Sequence, residues 1–133
     1  MIVDVRLNHG GDNTTNGSLL ALLRRPAIGR KTVVLIGRGT FSAAGNFVGE
    51  VDLRTRARTV GEPSGGAPNQ WGDSRTIALP LAGLAAHVAL YYVEVASQLG
   101  ARTATVPDVP VEASAADFFA GRDPVLARAL ALP

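Results

Sequence analysis

Three short runs rich in β-branched residues, MIVDVR at 1–6, KTVVLIG at 31–37 and ARTVGE at 57–62, are each followed by a glycine-bearing loop and separated by segments of helical spacing. β-branched side chains pack well on a pleated surface, so each run reads as a strand, the first two as buried ones. Between the first two lies SLLALLRR, with apolar residues at helical spacing and Pro26 and Gly29 expected to end it. Between the second and third, SAAGNFVGEVDL puts Phe47, Val48 and Val51 on one helical face. Strand, loop, helix, strand is the right-handed crossover unit of a mostly parallel sheet, which makes the chain an α/β protein.

Beyond the third strand, EPSGGAPNQWGD at 62–73 holds three glycines, two prolines and the sole tryptophan. It is too long for a tight turn, and structure resumes after it, so it reads as an ordered loop of the kind that carries function. RTIALP and LAAHVALYYVEV then read as two further strands, the second with apolar residues on both parities. VPDVPVE reads as extended. The tail ends in a helix, SAADFFAG, capped at its start, and a second, DPVLARALAL, opened by Asp123 and Pro124.

At 133 residues the chain fits one domain, with residues 1–133 expected to be the C-terminal part of a longer protein because it begins inside a strand. Apolar residues make up 47% and charged residues 18%, a globular composition. Twelve arginines and Lys31 are scattered rather than clustered, with few aromatics, which argues against a nucleic-acid partner. The densest group, LRTRAR at 53–58, reads as the solvated end of a helix. With no cysteine there is no disulfide, thiolate or cysteine-based zinc site, and His9 and His87 lack metal-ligand spacing, so neither a metal nor another cofactor is expected. No run is long enough to span a membrane, and no basic-then-apolar leader precedes IVDV, which leaves the compartment open.

Three loops fall at the carboxyl ends of successive strands, where ligands bind in open parallel sheets: NHGGDN, GRGTFS and GEPSGG. NHGGDN is either a tight turn needing positive φ or a place where Gly10 and Gly11 turn their amides towards an anion. Ser42 stands at a strand-to-helix junction, where it is either a cap or a nucleophile served by the helix's unpartnered amides and positive dipole end. The small residues Ala43, Ala44 and Gly45 leave room there for a substrate carbonyl. Neither loop holds the GK[ST] of a phosphate loop or the GxGxxG of a dinucleotide site.

The ordered series IVDVRLNHGGDNTT, GRGTFSAAGNFV, VGEPSGGAPNQWGD and DVPVEASAADFFAGRDPVL resembles the catalytic domain of the S41 peptidases, the tail-specific or C-terminal processing proteases. It is similar in particular to the branch with GEP[ST]GG in place of GEKTFGKG. The resemblance covers nearly the whole chain. It implies the ClpP/crotonase-like fold of stacked ββα units and serine-type endopeptidase activity on peptide or protein substrates. Carried over, it makes Ser42 the nucleophile, with the amide of Ala43 and one from the Gly10–Gly11 turn as the oxyanion hole and Gly65 and Gly66 bordering the substrate. Self-association is left open.

A serine hydroxyl needs a base. The serine-lysine members keep a lysine where this chain has Ala67, and Lys31, the sole lysine, does not match the motif and reads as surface. Tricorn-like members use a histidine from a segment before the GG turn, which would lie upstream of Met1. Within the chain, His9 borders the turn, whereas His87 is expected on an exposed strand face. Glu94, Glu62 and Asp73 are the candidate acidic partners: Glu94 is preferred for its late position, and Glu62 is expected to fix its loop by accepting backbone amides. Trp71 and Phe41 line the substrate pocket or simply pack. Two further functions fit the same fold: a binding module that has lost its base but holds a peptide or an apolar, retinoid-like ligand, and a crotonase-like acyl-CoA enzyme, against which Ser42 and GEPSGG speak.

Overall fold

A computed structural model describes residues 1–133. Strands β1 (Ile2–Asp4), β2 (Val33–Ile36), β3 (Arg58–Gly61) and β6 (Val109–Pro110) form one parallel sheet in the order β1-β2-β3-β6, and β4 (Gln70–Leu79) and β5 (Leu84–Val93) form a separate antiparallel pair. The helices are α1 (Gly17–Leu23), α2 (Pro26–Gly29), α3 (Ala43–Arg54), α4 (Ala115–Phe119) and α5 (Pro124–Leu130). The mixed α/β class with a mostly parallel sheet is the one the strand-helix alternation implied.

Successive residues of β2 point to opposite faces, and both faces are covered. Val34 and Ile36 join Leu20 and Leu23 of α1 and Phe47, Val48 and Val51 of α3 in one core. Leu35 joins Val60 of β3 and Val125 and Ala129 of α5 in a second core on the other side. The sheet therefore lies between α1 and α3 on one face and α5 on the other. Asp108 fastens β6 to β3, its Oδ2 accepting from the Thr59 amide at 2.7 Å and the Thr59 hydroxyl at 3.0 Å.

Pro26 does end α1, but instead of opening a loop it occupies the first turn of α2, where its missing N–H costs nothing. The tail helices form as their caps indicate. Ser114 and Asp117 make a reciprocal capping box at α4, and Asp123 Oδ1 accepts from the Leu126 amide at 2.9 Å at α5. Asp123 also receives a two-pronged contact from Arg6, 2.8 Å to each carboxylate oxygen, and Arg6 grips Asp4 at 2.7 Å as well. The guanidinium hydrogen bonds hold both carboxyls below their usual range. The end of β1 is thereby tied to the start of α5.

The larger departure concerns β4 and β5. Both strands exist, but they form a hairpin arm of their own, with Gln70 to Asp73 of the long loop drawn into its first strand. In the parallel sheet β3 pairs instead with β6 through Val60–Val109 and Gly61–Pro110.

Candidate active site

The loop after β1 and the loop after β2 run against each other. The Phe41 amide donates to the Asn8 carbonyl at 3.1 Å, and the Thr40 hydroxyl donates to the Val5 carbonyl at 2.8 Å. This clamp delivers Ser42 to the start of α3 with φ 52 and ψ −126, one of only two non-glycine residues with positive φ. Such backbone is strained for a residue with a Cβ and persists only where its surroundings enforce it. Ser42 makes no side-chain cap bond, and its Oγ has no hydrogen-bond partner. A capping serine would have extended backbone and a bond to the second or third amide of the helix. Ser42 has neither, so the capping alternative is removed.

Gly10 is pressed against this serine. A Cβ on Gly10 would stand 2.5 Å from the Cβ of Ser42 and 2.9 Å from the Ala43 nitrogen, and its φ is 104. Only glycine meets both conditions. The Gly10 amide is already committed, donating to Asn8 Oδ1 at 2.9 Å. The amides of Gly11 and Ala43 have no acceptor. Both residues line a cup of about 60 Å³ together with Asn8, Gly10, Asp12, Thr15, Asn16 and Ala44, and the Asp12 carboxylate there is taken up by the Thr14 amide and hydroxyl. The twelve-residue α3 adds the positive end of its dipole at this point. The result is an unbonded hydroxyl one residue away from a small polar recess bordered by two free amide donors and by Asp12.

The GEPSGG loop forms the adjoining wall. Gly65 donates to the Thr40 carbonyl at 2.9 Å and sits so close to Arg38 that a Cβ would be 2.0 Å from its carbonyl oxygen. Gly66 lies against the Phe41 ring, where a Cβ would come within 2.8 Å of Cδ2. Buried Ser64 organises the loop: its hydroxyl donates to the Gly66 carbonyl at 2.8 Å and accepts from the Thr105 amide at 2.8 Å. Glu62 does not play that part. Its carboxylate turns outward to Arg38 at 3.0 Å, because serine and backbone groups already satisfy the loop's interior.

The sequence-derived candidates thus divide. Ser42, Ala43, Gly10 and Gly11 come together, with Gly65 and Gly66 on the neighbouring loop. Glu94 does not join them through any contact: it is exposed at the root of the arm and takes part in no hydrogen bond or ion pair. His87 is exposed on the arm, with Nδ1 3.2 Å from the Thr76 hydroxyl. His9 is exposed on the turn beside Ser42 and has no hydrogen-bond partner, its Cε1 3.4 Å from where a Cβ on Gly39 would stand. Asp73 lies out on the arm, Trp71 packs against Tyr92 with ring centroids 5.6 Å apart, and Lys31 is exposed. Of the two aromatics only Phe41 borders the site.

Two amide side chains escaped the sequence analysis. Gln70 Nε2 donates to the Ser42 carbonyl at 3.2 Å, and buried Asn46 Nδ2 donates to the Pro68 carbonyl at 2.7 Å, joining α3 to the loop. Nothing in a single sequence distinguishes these from any other Asn or Gln near a glycine-rich loop. Ala67 is close by, with its carbonyl oxygen 3.6 Å from the position a Cβ on Gly45 would take in the first turn of α3.

No protein-family model matches the chain, and no curated protein matches it. Solved structures do. A protein from Parabacteroides merdae, provisionally designated a peptidase, superposes with TM-score 0.61 at 19% identity over 97% of this chain and 50% of its own. A photosystem II D1 C-terminal processing protease superposes with TM-score 0.54 at 19% identity over 84% of this chain and 34% of its own. The chain shares their fold and spans half the length of the first and about a third of the second.

Proposed function

We propose that the chain is a serine-type peptidase domain in which Ser42 attacks a peptide carbonyl and the amides of Ala43 and Gly11 receive the developing oxyanion. The observation that carries this is the backbone of Ser42: a positive φ in a non-glycine residue, held by the close approach of Gly10 and released from capping duty. Strain of that kind at a strand-to-helix turn presents a hydroxyl rather than a helix cap. In the first step the Ser42 Oγ–carbonyl bond forms as a base takes the hydroxyl proton; the tetrahedral intermediate then expels the amine, which takes a proton. Water releases the acyl group from Ser42 in the second half. The likeness to a processing protease supports a peptide or protein chain as the substrate class. The GEP[ST]GG variant of the S41 family is the sequence pattern that fits.

Within the Gly10–Gly11 turn the Gly11 amide is assigned rather than that of Gly10, because the Gly10 amide is occupied by Asn8. No titratable side chain hydrogen-bonds Ser42 Oγ, and Ala67 occupies the position at which serine-lysine relatives keep their base. That same observation favours one second reading, a domain that binds peptides without cleaving them.

A fluorophosphonate probe with mass-spectrometric mapping separates the two. The peptidase reading expects a slow adduct on Ser42 alone, abolished in Ser42→Ala, since an oxyanion hole without its base retains roughly 10³–10⁴-fold over water. Ala67→Lys, which returns a base to the wall beside α3, is expected to speed labelling by about 10²-fold or more. No adduct at Ser42 in either protein sinks the peptidase reading.

A further inference from the structure

The cup that holds the Gly11 and Ala43 amides has a side-chain amide in its wall as well, that of Asn16. Asn16 stands just before α1, where an Asn side chain ordinarily accepts from the helix's first free amides, yet it makes no capping bond. Its side chain crosses instead to the start of α3, where Nδ2 donates to the Ala43 carbonyl at 3.4 Å. A carbonyl oxygen only accepts, so the nitrogen of the Asn16 side chain faces it, which fixes the orientation of the amide. That nitrogen carries two N–H groups. One makes this long bond, and the other has no acceptor in the chain.

We infer that Asn16 is a further catalytic residue, its second N–H serving as a third donor to the oxyanion beside the amides of Ala43 and Gly11. The inference rests on Ser42 being the nucleophile. An oxyanion has three lone pairs, and the two backbone amides leave one of them unmet. The other polar side chains of the cup do not fill that place. Asn8 is committed to seating the turn, its Oδ1 accepting from Gly10 at 2.9 Å, and the Thr15 hydroxyl donates to the Asp12 carbonyl at 2.8 Å. Asp12 carries a like charge, which raises the value of each donor beside it. Asn16 is also the one half-buried member of this group, whereas Asn8, Asp12 and Thr15 are exposed. A donor shielded from water stabilises developing charge more than one in free solvent does. Size brings it into reach: a water takes up about 30 Å³ of liquid, so a cup of about 60 Å³ sets its wall against whatever oxygen it holds.

The test is the rate of fluorophosphonate labelling at Ser42 in the full chain, measured in the wild type and in Ala67→Lys. Asn16→Ala is expected to slow the covalent step about a hundredfold while leaving the half-saturating probe concentration within about threefold, because the oxyanion forms only after binding. Asn16→Asp loses the same bond to Ala43 and adds a negative charge, so it is expected to be slower than Asn16→Ala by about tenfold more. Cooperative urea unfolding confirms that both variants are folded. In a crystal structure of the Ser42 adduct, Nδ2 is expected about 2.7–3.2 Å from the phosphonyl oxygen.

Equal labelling rates in the wild type and Asn16→Ala overturn the inference and leave Ser42 standing as the nucleophile. Equal losses in Asn16→Ala and Asn16→Asp overturn it too, since a bond that only braces Ala43 is lost alike in both. So does an adduct in which Nδ2 bonds the Ala43 carbonyl alone. Absence of any Ser42 adduct in both the wild type and Ala67→Lys removes the nucleophile itself, and the role of Asn16 falls with it.

Discussion

Gly10→Ala places a methyl carbon where the backbone of the Ser42 turn already stands. The new Cβ would meet the Cβ of Ser42 at 2.5 Å, whereas ordinary contact begins at 3.4 Å, so Ser42 and Ala43 must retreat by about 0.9 Å. The φ of 104 adds a conformational cost of about 1–3 kcal/mol, and relieving the overlap adds about 1–3 kcal/mol more. Urea unfolding is expected to show a total loss of about 2–6 kcal/mol. Function suffers separately, because a misplacement near 1 Å costs about 10²-fold in rate when geometry matters this closely. The fluorophosphonate labelling rate at Ser42, measured on the folded fraction, is therefore expected to fall about a hundredfold. Gly11→Ala is the control: its φ is 144, but nothing lies within 4 Å of the added carbon. It is expected to cost about 1–3 kcal/mol from strain alone, which isolates the stability loss that comes without the overlap. Unaltered labelling in a folded Gly10→Ala protein would refute the inference that Gly10 is there to seat Ser42.

Arg6→Ala removes the guanidinium that joins Asp4 to Asp123 and is expected to lower stability by about 1–2 kcal/mol at neutral pH, read from urea midpoints. Both carboxyls are held below their ordinary values when folded, so their contribution is present above about pH 4 and lost as pH falls through the depressed folded values. The gap between wild type and Arg6→Ala should accordingly shrink in acid, and a gap that widens there would contradict the assignment. Thr105→Val tests the loop's support: the Thr105 hydroxyl is buried without a partner, so its removal is expected to leave stability unchanged or raise it by about 1 kcal/mol in thermal unfolding.

The parallel sheet was legible because β-branched runs and helical periodicity agree over Val33–Ile36 and Ala43–Arg54. The glycine positions were legible too, but their reasons were not. A sequence marks Gly10 and Gly11 alike, and only the Asn8 side chain separates the amide that is used from the one that is free. Ser42 shows the same limit from the other side: helix-start position suggests a cap, and a φ of 52 is invisible until the chain is folded. The arm was read as strands but not as a separate sheet, since apolar residues on both parities describe a covered strand equally well. Gln70 and Asn46 act through single bonds to backbone carbonyls, and such long-range pairs leave no periodic trace.

In the proposed reaction the developing negative oxygen lies between the amides of Ala43 and Gly11. A crystal structure of the fluorophosphonate adduct tests it most directly, because the phosphonyl oxygen mimics the tetrahedral oxyanion. The account predicts phosphorus bonded to Ser42 Oγ and that oxygen in the small cup, about 2.7–3.1 Å from the nitrogens of both Ala43 and Gly11. An oxygen turned to solvent, or bound by neither amide, would contradict it.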